Sequence, residues 1–181
     1  FGEAGAAFAD LDAILFSHTH VDHVADLAPL VKASWFGPRR RDLPLVGPSG
    51  SPFTVDVRTL AGRLFASDGV YPYLDGFLAP DGGRYRLAPR VLDVADTAIR
   101  RDVLGGPGGL RAAAVPVDHG PIPALAWRVD IGAATVVFTG DTTNRTARIG
   151  ALAGSDTEVL VAHHAIPEHA GGAAAKLHMP P

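Results

Sequence analysis

Residues 17–27 read SHTHVDHVADL, and the first seven of them hold His18, His20, Asp22 and His23. The run just before, Ala13-Ile14-Leu15-Phe16, is continuously apolar and suits a buried strand. Just after it, Val24, Leu27, Leu30, Val31 and Trp35 recur at helical spacing until Gly37-Pro38 ends the pattern. Three imidazoles and a carboxylate therefore stand where a strand hands over to a helix. Side chains two apart in an extended segment point to the same side, so His18 and His20 can face one ion. Asp22 and His23 come one turn later and can face a second ion beside the first. A lone histidine in such a place is most simply a satisfied core or surface residue. A cluster of imidazoles with a carboxylate is costly to desolvate without a cation, which turns the reading of the whole group toward metal binding.

Working outward, FGEAGAAFADLD at the start reads as a short amphipathic helix and turn. The stretch LPLV around Leu43–Val46 reads as a strand, PFTVDVRTLAGRLFAS as a helix, and residues 68–90 as turn-rich and irregular. From 91 on the pattern turns to strands: RVLDVAD, GGLRAAAVPVDHG, ALAWRVDIG and ATVVFTGD, then a helix around 143–153 and a strand EVLVAHHA. Mixed strands and helices with short connections define an α/β layered class.

The chain has 181 residues, 47% of them hydrophobic, enough for one sizeable core, and reads as a single domain over 1–181. A formal charge of −3 gives no global basic field of the kind that marks a dedicated nucleic-acid binder. There is no cysteine, so disulfides and thiolate ligands are excluded, and His, Asp or Glu must hold any transition metal. No apolar run approaches the roughly 20 residues that cross a bilayer, so no membrane partner is expected and the cytoplasm is the expected location. The only methionine is Met179 and the sequence stops at KLHMPP, so the chain reads as incomplete at both termini.

The eight histidines all fall in or beside strand-end loops: 18, 20 and 23 after the first strand, 119 after RAAAVPVD, 163, 164 and 169 after EVLV, and 178 near the end. Loops at one edge of a sheet converge in space and commonly mount binding groups. Asp141 ends the apolar strand TVVFTGD and is presented at such an edge; it can bridge two cations or cap the following helix. Thr19, Thr139 and Thr142 are near enough in the chain to orient ligands. The arginine run 39–41 can meet an anion or sit as a solvated cap at a helix end.

These residues resemble the metallo-β-lactamase-fold hydrolases. HTHVDH at 18–23 matches that family's H-x-H-x-D-H signature in full. DHGPIPALAWRV looks like the segment carrying the next metal histidine, and FTGDT like the one carrying the bridging aspartate. The resemblance runs from about residue 11 to the end. It implies a four-layer αββα sandwich, present here in part. It also implies that His18, His20 and His119 hold one metal ion, that Asp22 and His23 hold a second, and that Asp141 bridges them. The family's last metal histidine has no clear match and is expected beyond Pro181, as the family's first strands are expected before Phe1.

Lactamase and glyoxalase II branches carry a G-H-T-P-G-H-like segment at the second histidine, whereas His119 is followed here by GPIPALAWR. That is more similar to the tRNase Z, arylsulfatase-like and cyclic phosphodiesterase branch. VLVAHHAIPE resembles its H-E-A-T segment, with His163 on the histidine and His164 in place of the glutamate. KLHMPP resembles the start of its H-S-T segment, placing His178 on a histidine implicated in protonating the leaving group. Both segments depart from the tRNase Z wording, which speaks against tRNA itself as the substrate.

What this resemblance implies is a metal-dependent hydrolase of phosphodiester or sulfate-ester bonds, acting through a hydroxide that bridges two ions. Asp22 then ligates and orients that hydroxide or takes its proton, and His178, supported by His163, acts as general acid. Zinc suits a His-rich, cysteine-free set, and manganese or iron tolerates the same donors. The expected partner is a small anionic ester or a nucleic acid end, and a homodimer is allowed. The alternatives are a thioester or lactone hydrolase on the same fold, which the segment after His119 disfavours, and a catalytically inactive metal-binding fragment.

Overall fold

A computed structural model describes residues 5–79, 85–105, 109–142 and 147–163. The chain divides into two compact units, one from Phe1–Ser49 and Val55–Leu92, the other from Gly50–Thr54 and Asp93–Pro181. Among the described residues no helix is long and apolar enough to cross a membrane.

The first unit is built on a three-stranded sheet in the order β1 (Ile14–Leu15), β2 (Leu43–Pro48), β3 (Leu87–Leu92), with both pairs parallel. Parallel strands are covered on both faces, and β2 in the centre is accordingly buried along nearly its whole length. Helix α3 (Val57–Phe65) lays Val57, Ala61 and Phe65, spaced four apart, into the core. Gly47 allows this approach: a Cβ there would stand 3.2 Å from Phe16 Cβ and 3.4 Å from Val57. Phe16, Leu45, Phe65, Phe77 and Tyr85 are part of one buried cluster. Tyr85 and Phe77 thus belong to the core, whereas Tyr71 and Tyr73 are exposed.

Three local expectations change. The continuous helix after Asp22 is instead α1 (Val21–Val24), α2 (Leu27–Ala33) and a 3-10 turn at Ser34–Phe36. Pro29 explains the break. In one long helix its missing N–H and its ring would face the Ala25 carbonyl, whereas restarting at Leu27 puts the proline in a first turn, where that donor has no intrahelical partner. Among the described residues of the opening segment, 5–12, the one helical element is a 3-10 turn at Phe8–Asp10, because so short a segment does not offset helix nucleation. Nor is the arginine run a solvated cap throughout. Arg39 is only 3% exposed, donating to the carbonyls of Ala9, Leu11 and Asp42 beneath the rings of Phe8 and Tyr85. Arg41 pairs with Asp12, and Arg40 donates to the carbonyls of Gly37 and Arg39.

The second unit carries a five-stranded sheet in sequence order, β4 (Arg100–Gly105), β5 (Arg111–Val117), β6 (Ala124–Ile131), β7 (Ala134–Asp141) and β8 (Val159–His163). All pairs are antiparallel except β7 with β8, which helix α4 (Ala147–Ala153) connects as a parallel crossover. The cluster under α4 is made mostly of small residues, Ala113, Val115, Ala124 and Ala126 against Ile149 and Leu152, while Leu125, Trp127 and Val137 of β6 and β7 are buried as well. Strand β4 is not legible in IRRDVLG, whose charges break the alternation.

Arg128 stitches this unit together. Its guanidinium donates to Asp130, Asp156, Thr135 and the last carbonyls of α4, Leu152 and Ala153. The hydrogen bond to Asp156 raises the Arg128 pKa further above its ordinary value against the pull of burial.

Candidate metal centre

In the first unit the ligand loop begins where β1 stops. The Phe16 N–H donates to the Val46 carbonyl at 2.7 Å, fixing the strand end; the chain bends at Ser17 and reaches His20, an extended residue at the N-cap position of α1. His18 is fully buried, while His20 and His23 are half-buried. His18 Nε2 and His20 Nδ1 lie 3.0 Å apart, as the two-residue spacing predicts. Helix α1 brings His23 back over His18, ring centroids 4.0 Å apart. Its Nε2 is 3.6 Å from Asp22 Oδ2, and Asp22 is exposed. The Thr19 hydroxyl donates to the Val55 carbonyl at 2.6 Å and pins the loop from outside.

In the second unit His119 follows β5 and Asp141 ends β7. The Asp118 carboxylate accepts from the Gly120 N–H, closing a tight turn around His119. The Thr142 hydroxyl donates to the Asp118 carbonyl at 3.0 Å, tying the end of β7 to the His119 turn. Gly140 has φ +60°, a conformation that L side chains rarely adopt, and it lies where the β7/β8 register shifts between Phe138 and Asp141. This bulge aims Asp141, which is 7% exposed. His119 Nε2 stands 3.9 Å from Asp141 Oδ2. A shallow pocket of ≈ 270 Å³ opens beside this turn, walled in part by Asp118, Pro121, Ile122 and Arg148.

The donor chemistry fits a divalent ion. Two ligands of one tetrahedral zinc, each about 2.0–2.1 Å from it, stand about 3.4 Å from one another. The separations of 3.0 Å for His18 with His20 and 3.9 Å for His119 with Asp141 bracket that value. All the donors are nitrogen or carboxylate oxygen, the set that suits zinc, manganese or iron.

Within the first unit the structure therefore brings together His18, His20, Asp22 and His23, and within the second His119 and Asp141. Of the three threonines, Thr19 and Thr142 hold ligand-bearing loops, while Thr139 donates to the Gly140 carbonyl at the bulge. His163 is the backbone register partner of Asp141 at the end of β8. His164, His169 and His178 lie outside the described residues. Sequence reasoning missed Ser17, whose Oγ lies 3.1 Å from His18 Nδ1 and 3.4 Å from His23 Nδ1. Its only signal was its place immediately before the histidine pattern.

Residues 2–181 match the family model of the Beta-lactamase superfamily domain. Ribonuclease Z of Mycobacterium avium (strain 104) is 32% identical over 147 residues, which cover 76% of this chain and 46% of that protein. Ribonuclease Z of Mycobacterium sp. (strain KMS) is 33% identical over 142 residues, covering 77% and 46%. The chain spans about half the length of these curated relatives. Among solved structures, the short form of human tRNase Z aligns with a TM-score of 0.58 at 15% identity, over 86% of this chain and 58% of that one. The metallo-beta-lactamase fold protein YhfI from Bacillus subtilis aligns with a TM-score of 0.55 at 18% identity, over 94% and 57%. At such identities the likeness is one of fold, and it bears out the α/β class of metallo-β-lactamase type.

Proposed function

Because the chain belongs to the beta-lactamase superfamily, we propose that it carries the metal-holding core of a dinuclear hydrolase that cuts phosphodiester bonds, with sulfate esters as the neighbouring substrate class. The reading rests chiefly on the convergence of His18 Nε2 and His20 Nδ1, with His23 packed on the buried His18 ring. His18, His20 and His119 would hold one ion, Asp22 and His23 a second, and Asp141 would be shared. Two such ions, when bound, supply Lewis acidity and bring a water's pKa toward neutrality, with zinc the favoured metal.

The chain's own residues do the rest. Asp22, exposed beside His23, takes the proton of the attacking water. Asp141, set by the Gly140 bulge, is held 3.9 Å from His119 Nε2. His178 supplies a proton to the leaving oxygen and His163 supports it. The substrate is an anionic ester, and the similarity to ribonuclease Z turns it toward a nucleic acid end. Arg148, which lines the pocket next to Asp118 and Gly120, suits a non-reacting phosphate of such a substrate.

The test is metal content and turnover of the full chain. About two zinc or manganese ions per chain are expected, with hydrolysis of a bis-aryl phosphodiester and of a short RNA that chelation abolishes and metal restores. A chain that binds no metal, or that hydrolyses a thioester or lactone in preference, would reject the proposal.

A further inference from the structure

Ser17 touches two of the rings and has no part in the chemistry above. His18 and His23 each turn Nδ1 toward its Oγ, at 3.1 Å and 3.4 Å. The Nε2 atoms of the same two rings face other donors of the site, His20 Nδ1 at 3.0 Å and Asp22 Oδ2 at 3.6 Å. A hydroxyl oxygen has two acceptor lone pairs, so it can accept from both Nδ1–H groups at once and still donate its own proton. An imidazole that donates from Nδ1 presents the Nε2 lone pair to a cation, and such outer partners fix both tautomer and ring orientation.

We propose that Ser17 is a positioning residue shared by the two metal sites, its single hydroxyl holding His18 and His23 in the tautomer that offers Nε2 to an ion. The backbone makes this a property of the fold. Ser17 follows the buried Phe16, whose N–H is bonded to Val46, so its hydroxyl is carried on a fixed strand end. The two rings are also in contact with each other, so a change in the tilt of one is felt by its neighbour. His18 and His23 belong to different ions in the dinuclear reading, on which this inference rests. One hydroxyl therefore couples the two sites.

The experiment compares the wild-type full chain with Ser17→Ala and Ser17→Thr, with thermal melting to confirm that each folds. Histidine side-chain nitrogen NMR, recorded on the metal-free chain at alkaline pH, reads the tautomers. Competition against a chelator reads zinc affinity at each site. For wild type and Ser17→Thr, Nδ1–H is expected on both rings. For Ser17→Ala, mixed tautomers and a loss of affinity of about 10–100-fold at both sites are expected. Unchanged tautomers in Ser17→Ala, or a loss confined to one site, would overturn the proposal. A wild-type chain that takes up no zinc would reject the dinuclear reading, and the metal-free tautomer pattern would still decide the role of Ser17.

Discussion

In the first unit the donors come from consecutive residues, 18–23, and the local geometry of one strand end and one helical turn is enough to gather them. In the second, His119 and Asp141 stand at the ends of different strands, β5 and β7, and meet through a bulge at Gly140 and the hydrogen bond from Thr142 to Asp118. The first group is a property of a peptide segment, the second a property of a sheet. Substitution separates them most sharply at the ligands themselves. His20→Ala is expected to remove one ion and Asp141→Asn to weaken both, because only Asp141 is shared in the proposed set. Each loss should exceed the roughly 10–100-fold typical of an outer partner. Metal per chain by elemental analysis checks it, and a His20→Ala protein stripped of both ions would erase the difference between the groups.

The next largest effect concerns how each unit holds its loops. The first packs α3 on its sheet through large side chains such as Phe65, whereas the second ties α4 and the β6–β7 edge together through the Arg128 guanidinium. Cutting a fully buried ion pair costs about 3–5 kcal/mol. Asp156 stands largely in solvent, and the discounted cost of Arg128→Leu is about 2 kcal/mol. Urea unfolding measures it, with amide exchange in β6 and β7 showing where it falls.

The pH dependence gives an independent reading. The Arg128 hydrogen bond holds the Asp156 carboxyl at about 2, below its ordinary 3.8. Burial pushes Asp130 up, but hydrogen bonds from Arg128 and Thr135 outweigh it and hold it below the usual value. Both native carboxyls are depressed, so their contribution is complete above the unfolded value and fades as pH falls from 3.8 toward about 2. Arg128→Leu should flatten the acid limb of the stability curve across that window. An equally steep limb in the variant would place the acid sensitivity elsewhere.

The same contrast explains what could be read in advance. The strand, the ligand spacing and the helix after HTHVDH depend on neighbours along the chain, and so they are visible in the letters. Pro29 was visible too, but its consequence depends on register: only in a helix that began before Ala25 would its ring meet a carbonyl. His119 and Asp141 were identifiable as strand-end residues from the strand pattern and were joined in one ligand set through a family resemblance, yet nothing in their spacing predicts a 3.9 Å approach. Ser17 and Arg39 were hidden for a related reason. A serine before a motif and an arginine within a charged run have ordinary surface roles, and only the packed structure puts one between two imidazoles and the other between Phe8 and Tyr85.

The smallest effect tests whether the first group is as self-contained as its compact sequence suggests. Asp56 caps α3, its carboxylate accepting from the Arg58 and Thr59 N–H groups at 2.8 and 2.9 Å and from the Thr59 hydroxyl at 3.0 Å. Burial raises its pKa, but those hydrogen bonds prevail and hold the carboxyl below its usual value, so the cap weakens as the medium is acidified below 3.8. Asp56→Ala should cost about 1 kcal/mol and speed amide exchange in the first turn of α3. Val55, next to the cap, accepts the Thr19 hydroxyl, so a frayed first turn loosens a carbonyl that holds the ligand loop. Zinc affinity should then fall by a small factor, well short of the loss for Ser17→Ala. Faster exchange in α3 with unaltered zinc affinity would mean that the histidine loop keeps its shape from β1 and α1 alone.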